Sequence, residues 1–248
     1  MSTLSQSLER VLVLIDELAA GPKRLGELAK TLDIHKSTVL RTLQTLERHG
    51  WVRRQGDPPE FRLGLRLVAL SNAVLAELDV RSVARPALQR LGRETGETAH
   101  LGIRDGAEMV YLDKVESVHP VRMYSRIGAR APLHCTGAGK VLLAFSPADD
   151  RPDLELRRYT DQTLTTPDEL AEACAEIRRR GWGWDEREHE ETVRCIAAPV
   201  FNASDELVAA VSLSVPTSRL TTKQLRGHVP LLLDVVAEIS AGLGAKPA

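Results

Sequence analysis

The stretch RLGELAKTLDIHKSTVLRTLQTLERHG, residues 24–50, has the pattern of two short helices joined by a tight turn. Leu25, Leu28 and Ala29 recur at helical spacing and predict a first helix with an inward apolar side. A turn over residues 32–34 leads into a second helix over residues 36–49, which Gly50 ends. This arrangement predicts a helix-turn-helix.

The flanking segments extend this motif on both sides. An amphipathic helix is predicted over residues 4–20 from apolar side chains at helical spacing, namely Leu4, Leu8, Val11, Leu12, Ile15, Leu18 and Ala19. Downstream, two short extended runs at residues 51–55 and 61–63 flank Gly-Asp-Pro-Pro, where the prolines favour a turn. This hairpin is expected to form the wing of a winged helix-turn-helix.

The outward side of the helix over residues 36–49 has the chemistry of a surface that reads a DNA groove. Val39, Leu43 and Leu46 are expected to face the core, so hydroxyl and basic side chains point outward. Threonine methyl groups can contact thymine, and arginine can form two hydrogen bonds to guanine. The residues predicted to contact double-stranded operator DNA are Lys36, Ser37, Thr38, Arg41, Thr42 and Thr45 on the helix, with Arg53, Arg54 and Arg62 meeting phosphates from the wing.

The charge distribution favours DNA binding even though the net charge of the chain is only −1. Residues 35–66 hold seven basic side chains (Lys36, Arg41, Arg48, Arg53, Arg54, Arg62, Arg66) against three acidic ones (Glu47, Asp57, Glu60). A local cationic surface is typical of nucleic-acid-binding domains. The alternatives are an ordinary solvated helix face and a winged helix that docks only other proteins.

Length and composition indicate a globular protein with two domains. The 248 residues are 43% apolar and 27% charged, and about 100 to 200 residues per domain is usual. No apolar run approaches the roughly 20 residues that span a bilayer, and the N-terminus lacks the pattern of an export signal. The three cysteines, Cys135, Cys174 and Cys195, lack the spacing of a disulfide framework. A cytoplasmic protein without membrane association is therefore expected.

The rest of the chain predicts an α+β domain reached through a connecting helix. An apolar stripe predicts the connecting helix over residues 66–78, and further helices are expected up to residue 95 and over 139–145, 167–180 and 221–243. Strands are expected at residues 97–104, 108–115, 121–127, 182–190, 194–201 and 207–215. The predicted domains are a winged helix-turn-helix over 1–65, a linker helix over 66–80 and a second domain over 81–248.

Several motifs together resemble the IclR family of bacterial transcription regulators. QSLERVLVLIDELAAGPKRLGELAKTLDIHKSTVLRTLQTLERHGWV is similar to its winged-helix half, and ETAHLGIRDGAEMVYLDKVES and LVAAVSLSVPTSRLT are similar to its second half. RMYSRIG, GKVLLA and RCIAAPVF most resemble the KdgR-type branch, whose members answer to sugar acids such as 2-keto-3-deoxygluconate. The resemblance implies a ligand-responsive regulator with a GAF-like effector domain, acting as a homodimer or homotetramer. Its branch favours repression of a catabolic operon.

The resemblance also implies a small-molecule cavity lined by Gly137, Ala138, Asp185, Cys195, Ser212 and Ser214. Strand alternation places the two serines on one face, and Met123 is expected to add an adaptable apolar wall. Thr136 is expected to cap a helix, leaving the N–H groups of residues 137–139 free for a carboxylate. Asp185 is expected to accept hydrogen bonds from ligand hydroxyls. A small anionic effector, a sugar acid or keto acid, fits such a cavity, and no cofactor is implied.

Each of these residues also has a purely structural interpretation. The serines can bond neighbouring backbone, Cys195 can be a small buried apolar residue, and Asp185 can pair with Arg187 or Arg194. The acidic run Glu186, Glu188, Glu190 and Glu191 is expected to be a solvated strand face.

Enzyme and metal-site interpretations have weaker support. TGAGK, residues 136–140, lacks the first glycine and the final Ser or Thr of a phosphate-binding loop, and GxSxG, HExxH and GxGxxG motifs are absent. His134, Cys135, His189 and Cys195 lack the close spacing of zinc ligands. The rival interpretation is a cytosolic enzyme that acts on a small organic acid through the second domain.

Overall fold

The structure, a computed structural model, describes residues 5–70, 79–120, 123–147, 150 and 152–246. The chain divides into two compact units, residues 1–77 and 78–248. Among the residues described, no helix has the length and apolar character needed to cross a membrane.

The first unit consists of three helices and a hairpin. The elements are α1 (Gln6–Ala19), α2 (Leu25–Thr31), α3 (Lys36–Arg48), β1 (Val52–Gln55) and β2 (Glu60–Leu63). Asp33 has a φ of 49° in the turn between α2 and α3, and Gly50 has a φ of 76° just after α3, so both positions use the left-handed region where Gly and Asp are tolerated best. β1 and β2 pair in antiparallel register. The predicted winged helix-turn-helix is confirmed.

The core of this unit uses only part of the predicted apolar stripe of α1, because Leu18 is buried as expected but Leu14, outside that stripe, is buried with it. Leu14 and Leu18 are buried with the apolar residues of α2, α3 and the hairpin, whereas Leu8 and Leu12 are 65% and 63% exposed. Residues 11–15 are all apolar, so the helical period alone could not choose between two neighbouring stripes.

The second unit is built on a six-stranded antiparallel sheet with the strand order β5-β4-β3-β8-β7-β6. Its strands are β3 (Thr98–Asp105), β4 (Glu108–Val115), β5 (Arg130–Pro132), β6 (Gly183–Glu186), β7 (Val193–Phe201) and β8 (Leu207–Pro216). Its helices are α4 (Asp79–Thr95), α5 (Gly137–Phe145), α6 (Pro167–Arg180), α7 (Thr222–Arg226) and α8 (Val229–Gly242). The α+β class is confirmed.

The two faces of the sheet are covered by different helices. On one face, Ala197 and Ala210 belong to a core cluster with residues of α5 and α6. Val211 and Leu213 alternate onto the other face and are fully buried there. Asp113 shares that face, because it lies opposite Leu101, the neighbour of Val211, and its carboxylate accepts a hydrogen bond from Arg85 of α4 at 2.6 Å. α4 and α8 pack against each other and against the sheet.

The predicted strand over residues 121–127 is wrong for its described part, residues 123–127, and β5 at 130–132 pairs with β4 instead. The reason lies in the side chain of Lys114, whose Nζ donates to the carbonyl oxygens of Met123 at 2.9 Å and Ser125 at 2.8 Å. These carbonyls are therefore not used in a strand ladder. Residues 121–122 lie outside the described residues.

Two further predicted elements are shorter or broken. The strand over 182–190 stops at Glu186, because Arg187 adopts a φ of 63° and an oxygen of the Asp185 carboxyl group accepts the Glu188 N–H at 2.6 Å. The helix over 221–243 is interrupted between α7 and α8, where Pro230 can neither donate an N–H nor accommodate the carbonyl four residues earlier. Residues 66–70 of the connecting helix are helical, and residues 71–78 lie outside the described part of the chain.

Candidate functional site

The outward face of α3 is solvent-exposed in the first unit. Lys36, Ser37, Thr38, Arg41 and Thr45 are exposed, and Thr42 is half-buried. Val39 and Leu43 are fully buried, whereas Leu46 is only partly so. The polar side chains of this helix that were predicted to contact DNA therefore share one accessible surface.

The threonine hydroxyls of this surface have a defined orientation. The Thr42 hydroxyl donates to the Thr38 carbonyl at 3.1 Å, and the Thr45 hydroxyl donates to the Arg41 carbonyl at 2.9 Å. Because each hydroxyl hydrogen is engaged, the side chain offers an external partner an oxygen acceptor and a methyl group. Those groups suit the edges of bases in a major groove.

His35 was not nominated from the sequence and belongs to the start of this helix. It is the N-cap of α3, and its Nδ1 accepts the Ser37 N–H at 3.3 Å and lies 2.8 Å from the Ser37 hydroxyl. The signal available in the sequence was its position directly before the helix, although histidine is not among the preferred N-cap residues.

The arginines of the hairpin are not equivalent. Arg54 lies 3.6 Å from a carboxylate oxygen of Glu47, and Arg62 lies 3.5 Å from one of Glu60. Arg53 has no ion pair among the described residues, and neither do Lys36 and Arg41 of α3. Arg53 also lies directly opposite Arg62 in the hairpin, a like-charge pair that destabilises a sheet unless an anion neutralises it.

The second unit contains a cleft of about 480 Å³ including its open mouth. This cleft is named here the sheet cavity. It is lined by all seven residues that were predicted to bind the effector: Met123, Gly137, Ala138, Asp185, Cys195, Ser212 and Ser214. Its lining also includes polar side chains that were not nominated, namely His100, Tyr111, Tyr124, Ser125, Thr136, His189 and Glu190. No lysine or arginine is among the described lining residues.

The floor of the sheet cavity is formed by cross-strand rows of the sheet. In one row Asp185 lies opposite Cys195, and Cys195 lies opposite Ser214. In the next row Ser212 lies opposite His100. Directly opposite residues of antiparallel strands point to the same face, so these five side chains belong to one polar surface inside the fold.

The N-terminus of α5 forms another wall of the sheet cavity. Thr136 caps the helix, and its hydroxyl accepts the Gly139 N–H at 3.1 Å, so the expectation that this N–H is free is wrong. Within the described part of the chain, the N–H groups of Gly137 and Ala138 have no hydrogen-bond acceptor. A Cβ on Gly137 would lie 2.9 Å from the Cys195 sulfur, so glycine permits the close approach of α5 to β7.

Asp185 is a neutral acid at physiological pH. It is 4% exposed, and burial, with the nearby Glu188 charge as a second cause, raises the pKa of its carboxyl group to about 8. Arg194 pairs with Glu186 instead. One carboxyl oxygen of Asp185 accepts the Glu188 N–H, which leaves the protonated carboxyl group able to donate a hydrogen bond. This changes the expectation that Asp185 acts only as an acceptor.

Four further titratable groups of the sheet cavity, His100, Tyr111, His189 and Cys195, are also neutral near pH 7. Burial and the Lys114 charge lower the pKa of His100 to about 3, and burial lowers the pKa of His189. Burial raises the pKa of Cys195 to about 12, so its thiol is not a nucleophile at neutral pH. Burial also raises the pKa of the Tyr111 hydroxyl.

The acidic run that begins with the last residue of β6 is only partly the solvated strand face that was expected, because Glu190 and Glu191 are exposed but lie outside the strand. Glu188 is 7% exposed and forms a buried ion pair with Lys140 of α5. Glu186 accepts from Arg194, and Glu190 lines the sheet cavity. Lys140, which completes the TGAGK stretch, is therefore neutralised inside the fold. Over the described residues there is also no group of three or more His, Cys, Asp and Glu side chains arranged to hold a metal ion.

Comparison with known proteins matches both units to one family. The family model described as the IclR helix-turn-helix domain matches residues 7–56, and the one described as the bacterial transcriptional regulator IclR C-terminal domain matches residues 72–241.

Individual relatives agree with these models. The chain is 37% identical to the HTH-type transcriptional regulator XynR of Escherichia coli, over 96% of this chain and 97% of the relative. It is 38% identical to the E. coli regulator KdgR, over 91% of this chain and 89% of the relative. The crystal structure of the Thermotoga maritima IclR superimposes with a TM-score of 0.83 at 31% identity, covering 96% of this chain and 98% of that one.

Proposed function

Because the chain belongs to the IclR family of bacterial transcriptional regulators, we propose that it represses a catabolic operon and that a small anionic acid releases it from its operator DNA. Regulators of this family bind DNA through the helix-turn-helix and small-molecule effectors through the C-terminal domain. Its relatives are regulators and not enzymes, so the enzyme interpretation is rejected. Repression is proposed on the resemblance to the KdgR-type branch.

The proposed operator contact is made by α3 in the major groove. Lys36, Arg41 and the hydroxyl-bearing side chains of α3 form an accessible surface with unpaired cations among the described residues. Arg53, on the wing, is proposed to bind a DNA phosphate. Arg54 and Arg62 would first have to leave their carboxylate partners before either could bind a phosphate. Such phosphate contacts fix position, whereas groove contacts select sequence.

The single observation that carries the effector proposal is the convergence of all seven nominated residues on the sheet cavity. The unengaged N–H groups of Gly137 and Ala138 lie at the positive end of the nine-residue helix α5, which favours a carboxylate. Protonated Asp185 and the Ser212 and Ser214 hydroxyls can add hydrogen bonds. We assign the carboxylate of a keto acid or sugar acid, such as 2-keto-3-deoxygluconate, to this end.

Release of the operator is proposed to follow from a change in the distance between paired DNA-binding domains. The proposed organisation is a DNA-binding domain over 1–65, a linker helix over 66–80 and an effector domain over 81–248, assembled as a homodimer or homotetramer in the cytoplasm. Exposed apolar side chains in the first unit, Leu8, Leu12, Leu65 and Val68, are consistent with self-association. Two DNA-binding domains must meet half-sites about one helical turn apart, or a multiple of it.

The proposal is tested by measuring operator binding and effector binding on the same variants. Wild-type protein should shift duplex DNA from its own promoter, and 2-keto-3-deoxygluconate should release it. Asp185→Ala and Ser214→Ala should weaken effector binding measured by calorimetry. Ser204→Ala, in an exposed turn outside the sheet cavity, is the matched control and should behave as wild type. Unchanged effector binding in both cavity variants contradicts the assignment.

A further inference from the structure

We infer that His100 and Ser125 form a second polar subsite of the sheet cavity, which binds hydroxyl groups at the far end of a chain-shaped effector. The inference rests on the proposed function, because it takes the carboxylate end to lie at the N-terminus of α5. It concerns which acids the cavity accepts.

The first support is an unsatisfied buried atom. His100 is 2% exposed, and its Nε2 lies 2.6 Å from the Ser125 hydroxyl oxygen. Its Nδ1 is buried and has no hydrogen-bond partner among the described residues. Buried polar atoms in native proteins almost always have a partner. Both His100 and Ser125 line the sheet cavity, so a bound molecule can contact this pair.

The second support is the charge state of the imidazole. Burial and the neighbouring Lys114 charge hold the pKa of His100 at about 3, so the ring is neutral at physiological pH. A neutral imidazole has one donor nitrogen and one acceptor nitrogen. It cannot serve as the counter-charge of a carboxylate, but it matches a hydroxyl, which both donates and accepts. This asymmetry orients an acid with its carboxylate toward α5.

The third support is the way in which Ser125 is held. The segment 123–125 is outside any strand, and Lys114, only 6% exposed at its side chain, binds the carbonyls on both sides of Tyr124. This cation therefore positions Ser125 against His100. Glu116 accepts from the same ammonium group at 3.0 Å, so Lys114 is engaged in structure and does not provide a free charge for the ligand.

The separation of the two ends sets a minimum size for the effector. His100 lies on β3, two strands away from Cys195 on β7, against which Gly137 packs. Two strand spacings amount to roughly 10 Å, and side chains stand nearly perpendicular to a sheet. The Tyr111 ring lies beside His100, with 4.8 Å between ring centroids, and forms the wall along this path. A two-carbon or three-carbon acid cannot reach both ends.

The test compares two acids that share the same 2-keto carboxylate. Calorimetry with pyruvate and 2-keto-3-deoxygluconate is performed on wild type, Ser125→Ala, His100→Phe and the control Ser204→Ala. Ser125 lies on a half-exposed segment, so its truncation carries little risk for folding, and phenylalanine keeps the ring beside Tyr111. Each cavity variant should lose about tenfold in affinity for the hydroxylated acid, the value of one hydrogen bond. Any affinity for pyruvate should change less than twofold.

The outcomes separate the inference from the proposed function. Binding of both acids with equal affinity by wild type, or equal losses for both acids in the variants, overturns the subsite and leaves the effector proposal standing. An unchanged affinity for 2-keto-3-deoxygluconate in both variants also overturns the subsite and leaves the effector proposal standing. Binding of neither acid by wild type overturns the subsite together with the effector proposal. A loss confined to the hydroxylated acid supports it.

Discussion

In the proposed operator contact, single side chains of α3 are expected to decide whether the first unit reads a DNA sequence or only contacts the DNA backbone. Arg41 is exposed and without an ion pair among the described residues, and it projects from the same helix face as Thr42 and Thr45. Arg53 lies on the hairpin, where a phosphate is the expected partner. The two arginines should therefore contribute to different quantities.

We expect Arg41→Ala to weaken operator binding more than binding to random DNA. Loss of a contact to a base costs about 1 to 3 kcal/mol of discrimination. Fluorescence anisotropy with operator and scrambled duplexes measures this difference. The matched variant Arg53→Ala should weaken both duplexes alike and reduce the salt slope by about one unit. Equal losses on both duplexes for Arg41→Ala would contradict its base-reading role.

At the second unit, the ionisation of Asp185 should make effector binding dependent on pH. Its pKa near 8 means that the group is protonated below pH 8 and can donate to an anionic effector. As the pH rises through 8, the carboxylate forms and repels that anion. Affinity should therefore fall by up to about tenfold for each pH unit above 8.

The measurement for Asp185 is calorimetric affinity as a function of pH. Asp185→Asn keeps a donor and cannot ionise, so its affinity should be nearly flat over the same range. A flat profile in the wild type, or an equally steep one in Asp185→Asn, would show that another group controls the dependence.

Among the elements, α5 matters most for the sheet cavity, because its first turn presents the N–H groups. Its position depends on two glycines that let it approach the sheet. Positions 137 and 183 are both tight, since a Cβ on Gly137 would meet Cys195 at 2.9 Å and one on Gly183 would meet Val141 at 2.7 Å. Helix α5 is also tied to the segment after β6 by the Lys140–Glu188 pair.

Gly137→Ala should therefore push the start of α5 away from β7. We expect a loss of about 1 to 3 kcal/mol in the free energy of unfolding, which is typical of overpacking, together with weaker effector binding. Thermal and urea unfolding measure the first effect. The double variant Gly137→Ala/Cys195→Ala removes the opposing sulfur and should recover part of the stability. A double variant no more stable than Gly137→Ala alone would argue against this contact.

For the whole molecule, the proposal requires that effector and operator influence each other's binding. A coupling of about 1 to 3 kcal/mol, or 5-fold to 150-fold in affinity, is typical. An effector that binds both arrangements equally would shift nothing.

We expect saturating operator DNA to lower the affinity for 2-keto-3-deoxygluconate by the same factor as the acid lowers operator affinity. This reciprocity follows from thermodynamic linkage. Titrations of each ligand in the presence and absence of the other measure both factors. An effector affinity that does not respond to operator DNA would rule out allosteric release.

The assembly itself can be tested through the geometry of the operator. Two α3 helices of a dimer must lie on the same side of the duplex, so half-site spacing matters. Inserting about five base pairs between half-sites should abolish tight binding, and inserting about ten should restore much of it. Insensitivity to both insertions would favour binding by independent monomers.

The sequence by itself determined the features that depend on neighbouring residues. The helix-turn-helix, the hairpin and the accessible side of α3 follow from helical period, turn residues and prolines, all of which act within a few positions. Strand alternation placed Ser212 and Ser214 on one face, and the family resemblance implied all the predicted cavity residues except Met123.

Only the tertiary structure decided the features that depend on burial and distant partners. Contacts between residues that are not neighbours in the chain decided three of these features: Lys114 holds the non-strand segment, Lys140 pairs with Glu188, and His100 contacts Ser125. Burial decided the fourth, the inward stripe of α1, because the neighbouring faces of that helix are equally apolar. The neutral state of Asp185 belongs here as well, because a carboxyl group loses its charge only when the surrounding fold removes water from it.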